Sequence, residues 1–235
     1  GDWRWVFIIF AAISLIWGIV FFIFARDAPG ERRKASLVES LGVLKRSPTA
    51  WILSLFYFLT FGGFVALALY LPTFLREIFD LSPTDAGART AGFVILATLA
   101  RPVGGILADR LGGARVLIIV FLGIGLLSLL LSLPIMTAFT IGALGCATML
   151  GLGNGAIFKL VPQYFPKETG TVTGLVGAFG GLGGFFPPLE LGIVKDLTGS
   201  YALGFVLLSA FSFACLVINQ FWFVRDENRT AKQPA

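Results

Sequence analysis

Three ionisable residues fall inside long apolar runs of this chain: Arg101, Lys159 and Glu190. A charge near the centre of a membrane costs at least about 2.5–3.5 kcal/mol, so each needs a reason to be there. Arg101 lies about 12 Å along a helix from the loop residue Asp109, close to the middle of a hydrocarbon core about 30 Å thick. Its helix face continues through Ala97, Gly104, Gly105 and Ala108, all small. Such a face fits a packed or wet interior better than lipid. A guanidinium there is planar, permanently charged and forked, which suits a planar oxyanion. The competing reading is an arginine that snorkels or pairs with a carboxylate, but no acidic residue of this chain lies near that depth.

The other two charges read differently. Lys159 lies at the end of its apolar run, where a long stem can snorkel to the headgroups. Five residues also turn it about 140° around the helix from Asn154. Glu190 follows Pro187-Pro188 and reads as an interfacial carboxylate. It is also the acidic candidate for a proton-coupling role within a span. Tyr57 and Phe61 are spaced to share one helix face. Spacing alone assigns them to packing or to lipid. The stretch Gly151–Pro188 is crowded with glycine, including Gly180, Gly181, Gly183 and Gly184. Glycine is a poor helix former in water, but in a membrane it lets backbones or ligands approach closely. Asn154 sits between two of these glycines and is read as facing a substrate or bonding within its helix. The run Gly-Leu-Gly-Asn-Gly is no nucleotide loop, because it lacks the G-x-G-x-x-G spacing and a preceding strand.

These residues need apolar helices to hold them, and the composition supplies them. The chain has 235 residues, 57% of them hydrophobic and 13% charged, against roughly 25% charged in a soluble domain. It has no His, which excludes zinc sites built on His and His-based acid–base chemistry. Cys146 and Cys215 lie in apolar runs and read as inert buried thiols. There are no paired carboxylates at midplane, no metal cluster and no G-x-S-x-G elbow, so no enzyme chemistry and no cofactor is implied. An all-α membrane protein with seven transmembrane helices is expected, over 5–24, 50–74, 88–108, 116–136, 138–161, 171–191 and 201–224.

The loops orient these spans. One side collects Arg26, Arg32, Arg33, Lys34, Lys45, Arg46, Arg110, Arg115, Lys167, Arg225, Arg229 and Lys232, while the other holds only Arg4, Arg76, Arg89 and Lys195. The richer side is cytoplasmic by the positive-inside rule, which puts the first residue outside and the last inside a cell (plasma or inner) membrane. The net charge of +5 follows this topological pattern and is not a nucleic-acid signal. Residues 1–24 form the first helix and residues 25–48 a basic cytoplasmic linker. Within the linker, Ser36 and Glu39 have capping-box spacing, and Leu37, Leu41 and Leu44 fit an amphipathic surface helix. Residues 49–224 form a six-helix bundle, and 225–235 a cytoplasmic tail. An odd number of helices starting outside from a glycine reads as the C-terminal part of a larger protein.

GGILADRLGGAR, residues Gly104–Arg115, resembles the loop motif of the major facilitator superfamily in its second-half copy. Asp109, Arg110 and Arg115 are there expected to pair with each other and with helix dipoles, as a latch between conformations. GLGNGAIFKLVPQYFPKETGTVTGLVGAFGGLGGFFPP is similar to the tenth and eleventh helices of the nitrate/nitrite porter family, whose second-half signature is the run Gly174–Phe186. WRWVFIIFA resembles that family's sixth helix. The resemblance covers nearly the whole chain and implies helices six to twelve of a twelve-helix carrier.

The resemblance assigns roles. Arg101 in LARPVGG matches the substrate arginine. In LFYFLTFGGF, Tyr57 matches a tyrosine that hydrogen-bonds the anion, and Phe61 a phenylalanine that packs on its planar face. Gly180, Gly181, Gly183 and Gly184 match signature glycines that bring a helix close to the substrate. Asn154 falls in the family's G-N-G segment, and Lys159 and Glu190 match no role. The partners implied are nitrate or nitrite, the lipid bilayer and an N-terminal half carrying a second arginine. Without that half the chain is expected not to transport. Two halves would rock around a midplane site, with nitrate/nitrite exchange favoured over nitrate–proton symport. A same-fold carrier for another small anion is the nearest rival, and a channel the more distant one.

Overall fold

Among the described residues, seven helices are long and apolar enough to cross a membrane. In the computed structural model, which describes residues 3–26, 42 and 46–230, they are α1 (Arg4–Phe24), α2 (Pro48–Phe79), α3 (Pro83–Leu111), α4 (Gly113–Leu131), α5 (Met136–Tyr164), α6 (Thr169–Thr198) and α7 (Ala202–Glu227). The chain divides into two units, residues 1–36 and 37–235. In the first, α1 has no buried residue. The second holds α2 to α7. The amphipathic helix expected around Ser36–Leu44 lies outside the described residues.

Most helices run further than the apolar pattern. Hydropathy marks where a helix crosses hydrocarbon, but its hydrogen bonds continue until a breaker stops them. Thus α2 carries Arg76 and Glu77 and ends at Asp80, whose left-handed φ of 52° lets Leu81 N reach back to Leu75 O at 3.2 Å. The following helix starts with Ser82 as N-cap, its hydroxyl accepting from Asp85 N at 3.2 Å, and with Pro83 in the first turn. The expected span 116–136 is corrected at its end: α4 stops at Leu131, and beyond Pro134 Met136 opens α5. The helix expected to end at Val224 passes through a π turn, Gln220–Val224, and continues as Arg225–Thr230.

Burial of apolar surface does not drive helices together in lipid, so contact rests on close packing and on hydrogen bonds across helices. The α4–α7 pair shows the second device. Ser209 and Ser212 donate to the carbonyls of Gly125 and Phe121, both at 2.7 Å, and Asn219 Nδ2 donates to Ala114 O at 2.8 Å. The bonds follow each other along both helices and fix their register. Phenylalanine fills the space between, with Phe56, Phe74, Phe93, Phe121, Phe139, Phe205 and Phe223 fully buried. Cys146 and Cys215 are both buried free thiols, as the sequence implied.

One end of the second unit is tied by Glu77. Its carboxylate accepts from Lys195 of α6 and, at 2.9 Å, from the hydroxyl of Tyr201 beside α7. Burial raises the Tyr201 hydroxyl above its ordinary pKa, which keeps it a donor.

Candidate functional site

The site begins with a defect in α2. Residues Phe58–Gly62 form a π turn between the α-helical segments Pro48–Tyr57 and Gly63–Phe79. Such turns are rare and occur frequently at functional sites. This one follows Tyr57 and contains Phe61, and the two rings stack at 5.1 Å and 7°. The edge of Phe158 from α5 closes on Tyr57 at 4.8 Å.

Glycines of α6 seat this segment. A β-carbon on Gly183 would fall 2.3 Å from Phe58 O, and one on Gly180 would fall 2.5 Å from the Tyr57 ring. Gly184 meets Val65 in the same way. Three of the four signature glycines therefore bring α6 onto α2, while Gly181 has open space in front of it.

Arg101 arrives from α3. Its Cζ stands 4.7 Å from the centre of the Phe64 ring and 5.4 Å from that of Phe61. Phe64 in turn stacks on Phe93 at 6.1 Å and 8°. The guanidinium thus lies over two aromatic faces, a favourable place for a cation. Its Nε is buried and has no hydrogen-bond partner among the described residues. A buried charged donor without a partner is costly, and an anion would satisfy it. The structure brings Arg101 of α3 over Phe61 of α2, and Phe61 stacks on Tyr57, so two consecutive helices assemble the group.

Other expected residues stand elsewhere. Asn154 is only 3% exposed, inside the bundle, and neither amide atom has a partner among the described residues. Glu190 borders a separate crevice between α2, α6 and α7. Lys159 does not simply snorkel to the surface but pairs with Asp109. Asp109 thus reaches across to α5, and Arg110 makes no ion pair among the described residues. The α3 and α5 backbones run so close that a lysine stem spans the gap. The loop is also held by Glu227, whose Oε1 accepts from Ala114 N at 3.0 Å.

Sequence reasoning missed Phe64, Phe158 and Thr60. Phe64 follows Phe61 by three residues, a helical spacing that could have flagged it. Thr60 carries the one signal visible only in three dimensions. Ser54, Thr90, Ser128 and Thr148 each donate to the carbonyl four residues back, whereas the fully buried Thr60 hydroxyl, in the π turn, has no partner among the described residues.

A model of the Major Facilitator Superfamily matches the chain twice, over residues 1–188 and 78–235. The chain belongs to the major facilitator superfamily. Among curated superfamily relatives it is 45% identical over 227 residues to the nitrite extrusion protein of Bacillus subtilis, covering 95% of this chain and 55% of that protein. It is 38% identical over 229 residues to a probable nitrate transporter, NarT, of Staphylococcus carnosus, covering 97% and 58%. The chain spans about half the length of the curated relatives it matches. Among solved superfamily structures, the transporter FucP in its outward conformation superposes with a TM-score of 0.73 at 19% identity, over 91% of this chain and 53% of FucP. That likeness supports the fold of this multi-pass membrane protein.

Proposed function

We propose that this chain supplies the second half of a carrier that moves nitrate and nitrite across a membrane. One observation carries the reading: a permanently charged guanidinium within a membrane-spanning helix, lying over Phe61 and Phe64 with a buried Nε that no described residue satisfies. A planar oxyanion could accept from that fork while lying against the Phe61 ring. The Tyr57 hydroxyl is the nearby neutral donor. Names borne by the relatives, nitrite extrusion and nitrate transport, agree with a small planar anion.

The other half of the site would come from the rest of a longer protein. Two cationic walls repel until an anion lies between them, so closure would require substrate and exchange would follow. Exchange is favoured over proton symport because Glu190, the carboxylate within the apolar part of α6, borders a different crevice. The basic side of the chain would be cytoplasmic, with α1 completing the first half and residues 49–224 forming the second.

The test joins this chain to a first half of the relatives' kind and measures nitrate uptake in proteoliposomes. Arg101→Lys keeps the charge but removes the fork. Uptake efficiency should fall at least about ten-fold, the worth of one charge-assisted bond. Unchanged affinity and rate would overturn the proposal.

A further inference from the structure

A second site, unrelated to the anion path, lies where α2, α6 and α7 diverge. It is a crevice of about 350 Å³, within the range of ligand pockets, walled by Phe58 and Leu67 of α2, Phe186 of α6, and Phe205 and Phe211 of α7. A single ionisable group enters it, Glu190. Glu190 is exposed at the crevice and makes no hydrogen bond or ion pair among the described residues. The nearest cation along α6, Lys195, is already held by Glu77.

Depth gives the carboxylate its meaning. The 30 residues of α6 make a helix about 45 Å long against a hydrocarbon core about 30 Å thick. Glu190 lies about 12 Å from the Thr198 end. Centred in the bilayer, it falls a few Å inside the hydrocarbon edge. The lysine–glutamate–tyrosine cluster around Glu77 marks the headgroup level just beyond. A carboxylate at that depth needs a cation, and no described residue pairs with it. The bilayer does: a headgroup ammonium stands at this level, attached to acyl chains that match an apolar slot.

We propose that this crevice binds an aminophospholipid, one acyl chain lying along Phe58, Phe205 and Phe211 while the primary ammonium pairs with Glu190. A primary ammonium donates hydrogen bonds to the carboxylate, which the methylated ammonium of a choline headgroup cannot do. Hydrogen bonding therefore selects ethanolamine over choline, and charge complementarity selects it over an anionic glycerol headgroup.

The experiment uses the purified 235-residue chain, stripped of lipid in detergent and titrated by native mass spectrometry. The probes are phosphatidylethanolamine, phosphatidylcholine and phosphatidylglycerol of equal chain length, and dodecylamine. Ethanolamine lipid should bind about ten-fold more tightly than choline lipid, the value of one charge-assisted bond. Glu190→Gln, nearly isosteric, should erase that preference and leave choline-lipid binding unchanged. Ala66 also lines the crevice from α2, and Ala66→Phe, which fills the slot, should weaken both lipids. Equal binding of the two lipids to the unsubstituted chain would overturn the proposal, as would a preference that survives Glu190→Gln. Glu190-dependent binding of dodecylamine without any preference among the lipids would assign the crevice to soluble amines instead and overturn the lipid reading.

Discussion

Gly155 lies directly beneath the backbone of Arg101: a β-carbon at 155 would fall 2.1 Å from the Arg101 carbonyl oxygen. Gly151 meets Ala97 O at 2.3 Å in the same sense, and Gly104 meets Leu152 O at 2.1 Å from the opposite helix. Gly151 and Gly155, on either side of Asn154, are thus the surface on which the arginine-bearing helix rests. They set how deep Arg101 stands relative to Phe61 and Phe64.

Gly155→Ala should therefore destabilise the fold, because backbone must move to admit the methyl. A loss of about 1–3 kcal/mol is expected, as for other overpacked sites. Gly174→Ala, which meets nothing within 4 Å, should be neutral or stabilising by a few tenths. Thermal unfolding of the two variants in one detergent checks the difference. Equal melting would mean that α3 and α5 are not locked at this crossing.

Phe64→Leu keeps most of the apolar volume but removes one of the two rings under Arg101. A cation–π contact is worth about 0.5–2 kcal/mol, so nitrate affinity of the carrier joined to its first half should weaken by about two- to thirty-fold. Isothermal titration measures it. An unchanged dissociation constant would show that this ring does not position the guanidinium.

The Asp109–Lys159 pair is half exposed at both ends and should contribute little to stability, at most about 1 kcal/mol in a double-mutant cycle. Its effect should appear in transport. If the pair acts as a latch, Asp109→Asn and Lys159→Met should slow uptake to a similar degree, and the double variant no further. Additive losses would separate the two residues functionally. High salt should weaken the coupling.

Gly112 joins α3 to α4 with φ of +93° and faces the Glu227 carboxylate, which an added β-carbon would approach to 2.6 Å. Gly112→Ala should cost about 1–3 kcal/mol from backbone strain alone. Glu227→Gln keeps an acceptor for Ala114 N but loses the charge that favours a helix N-terminus, about 0.3–1 kcal/mol. Melting curves of both variants test this, and Gly112→Ala should be the more damaging.

The sequence alone determined the seven helices able to cross a membrane, the helices that carry the candidate residues, the arginine inside an apolar helix and the glycine crowding around Asn154. Hydropathy and composition are local properties, and a charge inside an apolar run is visible without a fold. The helix ends were less legible, because Arg76, Glu77 and Lys195 stay helical beyond the hydrocarbon they flank. Tertiary structure alone decided which groups meet. Lys159 finds Asp109, Glu227 caps α4, Ser209 and Ser212 bond to the α4 backbone, and Phe64 joins Phe61 at Arg101. It also decided that Gly180, Gly183 and Gly184 face a helix while Gly181 does not. Each outcome depends on where two helices cross and at what register. That is set by close contact and hydrogen bonds between distant residues, and no hydropathy pattern along one helix records it.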